Sequence, residues 1–323
     1  MKSKSQSSLH SLFSNRKRIV FFLKIIIGFG LVYYLFLQFK NQQFEISFYK
    51  INYLFLTLAI ILWLPNIFLQ FLKWKITCKK LLDEDKNCII LSSLFAGFSA
   101  AIITPFRIGE YAGRNIPFKD KAVFDVTFTT LVDNLCHLAV IFFVGATFSV
   151  LFIKQYFNPS VTFIFFLTVS LIILLVCFFY IIHKSQDMNE LLQKVKRKNF
   201  ITRFLEKKAV IDKLHKEVLL KNVALSLLLF VCYNLQFAFL VAAFSDSSAI
   251  WNYLVAGTLV MFTKTIIPPV SFGELGIREG ASIYFITNLG LSGIIGLYAS
   301  LSLFFINVLL PAVIGLFFML RRD

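Results

Sequence analysis

Two short elements of the chain repeat four residue types at the same spacing. Each reads P-x3-G-E-x3-R, and the second begins 164 residues after the first, about half the chain away. Charged and helix-breaking residues are uncommon in apolar sequence, so their shared spacing indicates an internal repeat. The members are Pro105, Gly109, Glu110 and Arg114 in the first element, and Pro269, Gly273, Glu274 and Arg278 in the second.

The residue types of these elements predict a phosphate-binding site. Pro105 and Pro269 cannot continue a helix, and Gly109 and Gly273 permit a turn. A broken helix exposes backbone N–H groups with a positive end, which attracts anions. The planar guanidinium group of arginine holds phosphate by two hydrogen bonds. A glutamate can neutralise that arginine while no ligand is bound. The candidate ligand-binding side chains of the two elements are Arg107, Glu110, Arg114, Glu274, Arg278 and Glu279.

These six charged side chains lie in a predominantly apolar part of the sequence. At membrane depth each would cost ~2.5–3.5 kcal/mol, so six unpaired groups would cost roughly 15–21 kcal/mol. We therefore expect them to be paired, hydrated or both, with Asp133 and Lys264 in neighbouring apolar runs balancing each other. One interpretation is that structural ion pairs fasten the elements. We favour a hydrated polar groove, because buried ion pairs stabilise poorly compared with packed apolar residues.

The composition is that of an integral membrane protein. Of the 323 residues, 58% are hydrophobic and only 15% are charged, which excludes a soluble enzyme, a secreted disulfide scaffold and a nucleic-acid-binding domain. The net charge of +16 is typical of basic loops that face the cytoplasm and anionic headgroups. The histidines show no H-E-x-x-H spacing and the cysteines form no C-x-x-C pair, so we predict neither metal nor cofactor.

The apolar runs predict about six full membrane spans and two shorter segments. A crossing needs ~20 apolar residues. Six runs meet this length: about 19–39, 52–72, 122–153, 161–182, 219–244 and 295–320. The runs Ile89–Thr104 and Trp251–Ile267 are shorter, and each is followed by proline.

Lysine and arginine predict the orientation of these spans. The N-terminus, residues 73–86, residues 184–221 and the C-terminal end hold 23 of the 33 basic residues, so we place them in the cytoplasm. In each half, one long span already supplies the single crossing that these assigned sides require. Residues 89–120 and 251–291 must therefore return to the side from which they enter, as re-entrant hairpins from opposite faces of the membrane. In the competing interpretation both short runs cross fully and short helices return.

We therefore predict an all-α membrane protein, a polytopic helical bundle with an inverted internal repeat. Residues 1–18 form a basic cytoplasmic N-terminus and 19–323 a single transmembrane domain. Repeat 1 covers about 52–153 and repeat 2 about 219–320, linked by a basic cytoplasmic segment, 183–218. Inverted repeats with broken helices that meet near the midplane form the site of many secondary transporters.

At the two elements the sequence resembles the transmembrane, flippase-like family of lysylphosphatidylglycerol synthases. Stand-alone members carry P-x-R-x-G-E-x-x-R and P-x-S-x-G-x-x-G-x-R-E-G, and the likeness extends over most of residues 19–320. It implies a lipid translocator of the bacterial cytoplasmic membrane and adds Ser271 and Asp133 to the ligand site and Gly276 to the turns. The soluble aminoacyl-transferring domain of the fused synthases is not in this sequence, so we expect no enzyme activity.

The function predicted from these features is translocation of a lipid with an anionic headgroup, such as a phospholipid or a polyprenyl-linked or glycosylated lipid. The expected partners are membrane lipids and an enzyme that makes the lipid, with no nucleic acid. Two alternatives remain: an intramembrane transferase with His137 near Asp133 as its base, and an ion-coupled solute permease. We interpret the polar residues Asn66, Asn234, Gln236 and Asn307 within spans as helix–helix hydrogen bonds.

Overall fold

The computed structural model describes residues 51–104, 107–157, 159–183, 214–267 and 276–320. These residues form nine helices and no strand. In chain order the helices are α1 (Tyr53–Leu82), α2 (Asn87–Ile103), α3 (Ile108–Asn115), α4 (Val123–Phe157), α5 (Val161–His183), α6 (Lys216–Phe244), α7 (Ile250–Ile266), α8 (Ile277–Asn288) and α9 (Gly293–Phe304, Phe305–Leu309 and Leu310–Leu320).

Five of these helices are long and apolar enough to cross a membrane: α1, α4, α5, α6 and α9. They confirm the all-α polytopic fold and coincide with five of the six predicted spans. The remaining predicted span, 19–39, lies outside the described residues, as does most of the segment 183–218. Helix α5 has a single buried side chain, Ile182, and leaves the rest of its apolar surface outward, as expected for a helix that faces lipid.

Helix α1 and helix α6 pack against each other with opposite chain directions. The N–H of Asn52, before α1, donates to the carbonyl of Ala243 at 2.9 Å, while Asn222 near the start of α6 donates to Thr77 near the end of α1 at 2.9 Å. Corresponding helices of two inverted repeats must run in opposite directions, so this pairing supports the predicted inversion. It also places the first residues of α2 and α7 at opposite ends of the central helix pair.

Each short apolar helix forms a hairpin with the helix that follows it. Hairpin 1 is α2 with α3 and hairpin 2 is α7 with α8. The returning helices, α3 and α8, have 8 and 12 residues. At ~1.5 Å per residue they reach about 12 and 18 Å, well short of a core of ~30 Å. Short returning helices are expected in both interpretations, so re-entry and the depth of the hairpins in the bilayer stay predictions.

The hairpins pack across the repeats. Gly315 of α9 lies against the backbone of Phe95 in α2, and Ser99 donates to the carbonyl of Ala312 at 2.6 Å. In the second half, Gly145 of α4 lies against the ring of Phe262 in α7. Each hairpin therefore contacts the last helix of the other predicted repeat, which ties the two halves into one bundle.

Glycine is needed at two of the predicted turn positions, Gly276 and Gly109, for different structural reasons. Gly276 has φ +103°, in the region that favours glycine, so its place at the turn before α8 agrees with the prediction. Gly109 differs from the prediction because it lies inside the first turn of α3, with no positive φ. Its lack of a side chain lets α3 approach the carbonyl of Ala100 in α2. Pro105, Pro269 and Gly273 lie outside the described residues.

Candidate functional site

A central cavity of about 330 Å³ lies between the two hairpins. All described helices except α5 contribute to its wall. Among the described residues, its charged lining consists of five basic side chains and two carboxylates: Lys73, Arg107, Arg114, Lys264, Arg278, Glu110 and Asp133. Arg278 is also paired with Glu279, which lies behind the wall. The described residues thus form a charged cavity large enough for a small polar ligand.

Five of these side chains alternate in sign and form a continuous charge chain from α1 to the tip of hairpin 1. Lys73 Nζ lies 3.3 Å from Asp133 Oδ1, and Arg114 Nη1 lies 3.0 Å from Asp133 Oδ2. Arg114 Nη2 contacts Glu110 Oε1 at 2.7 Å, and Arg107 Nη2 contacts Glu110 Oε2 at 3.1 Å. Only Arg107 is substantially exposed, at 39% of its side chain. The charge chain therefore begins in the packed interior and ends at an accessible arginine.

Neighbouring helices hold the buried part of the charge chain in place. Asn222 of α6 donates to Asp133 Oδ1 at 3.3 Å, and the guanidinium of Arg114 lies 4.3 Å from the ring centroid of Trp74. Ser93 of α2 donates to the carbonyl of Arg114 at 2.8 Å. Both oxygens of Asp133 are thus engaged, and Arg114 is held by charge, ring contact and backbone together.

The exposed end of the charge chain has an unusual backbone. Arg107 precedes α3 with φ +54° and ψ 25°, the left-handed region that non-glycine residues seldom adopt. Such strained residues cluster at ligand sites, where the surrounding structure holds them in place. The conformation puts the Arg107 side chain at the cavity and within reach of Glu110.

Hairpin 2 contributes a smaller polar group. Arg278 Nη2 contacts Glu279 Oε1 at 2.7 Å, and Arg278 Nε donates to Ser300 Oγ at 3.0 Å. Glu279 Oε2 in turn accepts from the N–H of Gly276 at 2.6 Å. Arg278 lines the cavity while Glu279 is buried behind it, so the second hairpin presents a cation to the same space as the first.

A family model, the lysylphosphatidylglycerol synthase TM region, matches residues 21–315. The chain belongs to this family. The family indicates a membrane protein with a lipid-related function. No curated protein and no solved structure matches the chain.

Five of the predicted ligand residues of this family member line the central cavity: Arg107, Glu110, Arg114, Asp133 and Arg278. Ser271 and Glu274 lie outside the described residues. Within the described ranges, no group of three histidine, cysteine or acidic side chains could hold a metal ion.

The structure pairs Asp133 with Lys73 and Arg114, while Lys264 contributes to another part of the cavity wall. The overall charge balance between Asp133 and Lys264 stays a prediction. The sequence analysis missed Lys73 for a physical reason. Counting basic residues assigned Lys73 to a cytoplasmic segment, whereas α1 continues to Leu82 and buries Lys73 to 4% exposure.

A signal for Lys73 was present in the sequence. Asn66, Gln70, Lys73 and Thr77 follow one another at spacings of four, three and four residues, which places them on one face of α1. A polar stripe along an apolar span indicates a buried polar interior. That stripe runs along the α6 contact and the cavity wall.

The dyad expected for a transferase is not formed. His137 lines the cavity one turn after Asp133, but its Nδ1 has no hydrogen-bond partner among the described residues. The carboxylate of Asp133 faces Lys73, Arg114 and Asn222. A general base needs a group that orients it, so this geometry offers no support for proton abstraction by His137.

Proposed function

We propose that the protein translocates a lipid with an anionic headgroup between the two leaflets of its membrane. The observation that carries this proposal is the central cavity, where Arg107 and Arg114 of hairpin 1 and Arg278 of hairpin 2 line one space. Guanidinium groups hold phosphate by paired hydrogen bonds, and Arg107, with 39% of its side chain exposed, can exchange its carboxylate partner for such a ligand.

The arrangement of the hairpins supports passage rather than binding alone. The first helices of the two hairpins, α2 and α7, start at opposite ends of the α1–α6 pair, and both hairpins contribute cations to the cavity. A headgroup that enters at one end can pass its phosphate contacts from one arginine to the next while its acyl chains stay in the bilayer. Such gradual exchange avoids the cost of carrying a bare phosphate through hydrocarbon.

Glu110 has a defined part in this exchange. Its Oε2 contacts the half-exposed Arg107 and its Oε1 contacts the buried Arg114. A phosphate can replace Oε2 at Arg107 without exposing Glu110, because Arg114 still neutralises the carboxylate. Arg107 is therefore the first cation to release its carboxylate and accept the ligand.

The distribution of basic residues supports an orientation with both termini in the cytoplasm. The membrane itself, the cytoplasmic membrane of a bacterium, is what the family resemblance implies. An enzyme that makes the transported lipid would act on one side of that membrane. The translocator would then connect synthesis in one leaflet with use of the lipid in the other.

Arg107→Gln tests the proposal, with Lys79→Gln as the matched control. Both substitutions remove one positive charge, but Lys79 forms an exposed ion pair with Asp85, away from the cavity. In reconstituted vesicles, the flip rate of phosphatidylglycerol with a fluorescent acyl chain should fall by about tenfold for Arg107→Gln, because a hydrogen bond to a charged group is lost. The control should match the wild type. Equal rates for all three proteins would contradict the proposal.

A further inference from the structure

Helix α4 turns one face to both hairpins. Near its start, Thr127 Oγ1 accepts a hydrogen bond from Asn115 Nδ2, at the end of hairpin 1, at 3.1 Å. Nearer its other end, Gly145 lies against the ring of Phe262 in hairpin 2. Thr127 and Gly145 are 18 residues apart, which is about five helical turns or about 27 Å. Both hairpin contacts therefore lie on the same face of α4, one towards each end.

Part of this face, between the hairpin contacts, is open to the outside of the helix bundle. Asn134 and Leu138 follow Thr127 by 7 and 11 residues, about two and three turns, and both line the central cavity. Leu138 is 43% exposed, whereas the cavity-lining leucines Leu229 and Leu303 are 3% and 1% exposed. Contact with the cavity alone therefore leaves a leucine little exposed surface, so Leu138 also faces outwards. We call this opening, bounded by α4 and the two hairpins, the portal.

The corresponding face of α9, the last helix of the other repeat, is closed. Gly296 packs against hairpin 2 and Gly315 against hairpin 1, 19 residues apart. The wide turn Phe305–Leu309 between them holds one residue more than an α-helical turn, so the two glycines lie on one face, as the two contacts of α4 do. On that face Leu303 and Asn307 line the cavity, and both are buried. Among the described residues, the portal beside α4 thus has no open counterpart beside α9.

The surroundings of the portal decide what can occupy it. On its inner side lie the polar groups of the cavity, and on its outer side Leu131 and Leu135 continue an exposed apolar surface along α4. A molecule in the portal meets both environments at once. A lipid matches them, because its headgroup is polar and its acyl chains are apolar, whereas a soluble ion or solute would gain nothing from the apolar side.

We infer that the acyl chains of the transported lipid pass through the portal, past Leu138, while the headgroup is in the cavity. The portal lies between the contacts of the two hairpins with α4, so a headgroup can move from one hairpin to the other while its chains stay outside the bundle. This inference rests on the proposed function and names the route of the lipid.

A nitroxide label at Leu138 tests the portal without requiring transport. Leu138→Cys and its control Leu135→Cys are labelled in full-length protein in nanodiscs, with the exposed Cys88 and Cys177 replaced by serine. Leu135 is 52% exposed on the same helix but does not line the cavity. Oxygen, which dissolves in the bilayer, should relax both labels. A water-soluble nickel chelate is excluded from hydrocarbon, so it should collide at least about tenfold more often with the label at position 138.

Leu138→Trp tests whether the lipid uses the portal, with Leu135→Trp as its matched control. In reconstituted vesicles, the flip rate of phosphatidylglycerol with a fluorescent acyl chain should fall by about tenfold for Leu138→Trp, because a passing chain must displace the larger ring. Leu135→Trp adds the same bulk to an exposed surface of α4 that does not line the cavity. It should match the wild type.

The outcomes separate this inference from the function on which it rests. Equal nickel accessibility at positions 138 and 135 would overturn the portal and leave the translocator proposal standing. Equal flip rates for wild type and Leu138→Trp would overturn the route in the same way, as would an equal loss in both tryptophan variants. Wild-type protein that flips no lipid would overturn the proposed function. The nitroxide comparison decides the geometry of the portal even if Leu138→Trp fails to fold.

Discussion

The two hairpins carry the same residue pattern but hold their arginines differently. Arg114 of hairpin 1 contacts two carboxylates, Glu110 on its own helix and Asp133 on α4. Among the described residues, its counterpart Arg278 contacts one carboxylate, Glu279, and the neutral hydroxyl of Ser300 on α9. The last helix of each half thus decides how strongly the arginine is neutralised. Among the described residues, hairpin 1 thus forms a locked ion-pair network, while Arg278 of hairpin 2 has a single carboxylate partner.

Glycine contacts show the same difference between the hairpins. In hairpin 1, a side chain added at Gly109 or Gly113 would collide with backbone of α2. In hairpin 2, a side chain added at Gly276 or Gly280 would meet none of the described residues within 4 Å, although Gly296 of α9 lies against the carbonyl of Ser282 in α8. The glycine-bearing face of the returning helix is therefore tightly packed against its neighbour in the first hairpin but not, among the described residues, in the second.

Asp133→Ala should have the largest effect on stability. It leaves Lys73 without its described carboxylate partner and Arg114 with only Glu110, and removing one partner of a buried pair costs about 3–5 kcal/mol. Ser300→Ala in the other half removes one neutral partner of Arg278 and should cost about 1 kcal/mol. Unfolding in detergent, followed by circular dichroism, measures both. Equal costs would remove the distinction between a locked and a lightly held arginine.

Alanine at two glycines should have smaller effects of opposite sign. Gly109→Ala forces α3 away from the Ala100 carbonyl and should destabilise by about 1–3 kcal/mol, the usual cost of overpacking. Gly280→Ala adds a methyl group that meets none of the described residues within 4 Å, and it should stabilise by up to about 1 kcal/mol, because alanine favours helix. The same unfolding measurement compares them. Destabilisation by both to the same extent would show that the hairpins are packed alike.

Much of the fold follows from the sequence because length and hydropathy decide which helices can span a bilayer. Five predicted spans appear as α1, α4, α5, α6 and α9. The two repeated elements identified four residues of the cavity wall, and the family resemblance added Asp133. Lys73 was missed because charge counting treats a lysine near a helix end as solvated. Its burial depends on Asp133, which lies 60 residues away in the chain.

Other features needed coordinates because they depend on contacts between distant helices. The hydrogen bonds of Asn66, Gln236 and Asn307 were predicted as helix–helix links, and the structure confirms them. Their direction is set by the carbonyl of Ala59, which no sequence pattern marks. Likewise, the reason for Gly109 is the approach of the Ala100 carbonyl, a packing detail that the motif alone cannot distinguish from a turn.

The most direct test of the central claim is an experimental structure of the full chain in nanodiscs of phosphatidylglycerol. The account predicts a lipid phosphate inside the cavity, within hydrogen-bonding distance of Arg107 or Arg278, with the acyl chains leaving between helices towards the bilayer. Lipid found only on the outer surface, with Arg107 still paired to Glu110 and no phosphate at either arginine, would contradict it.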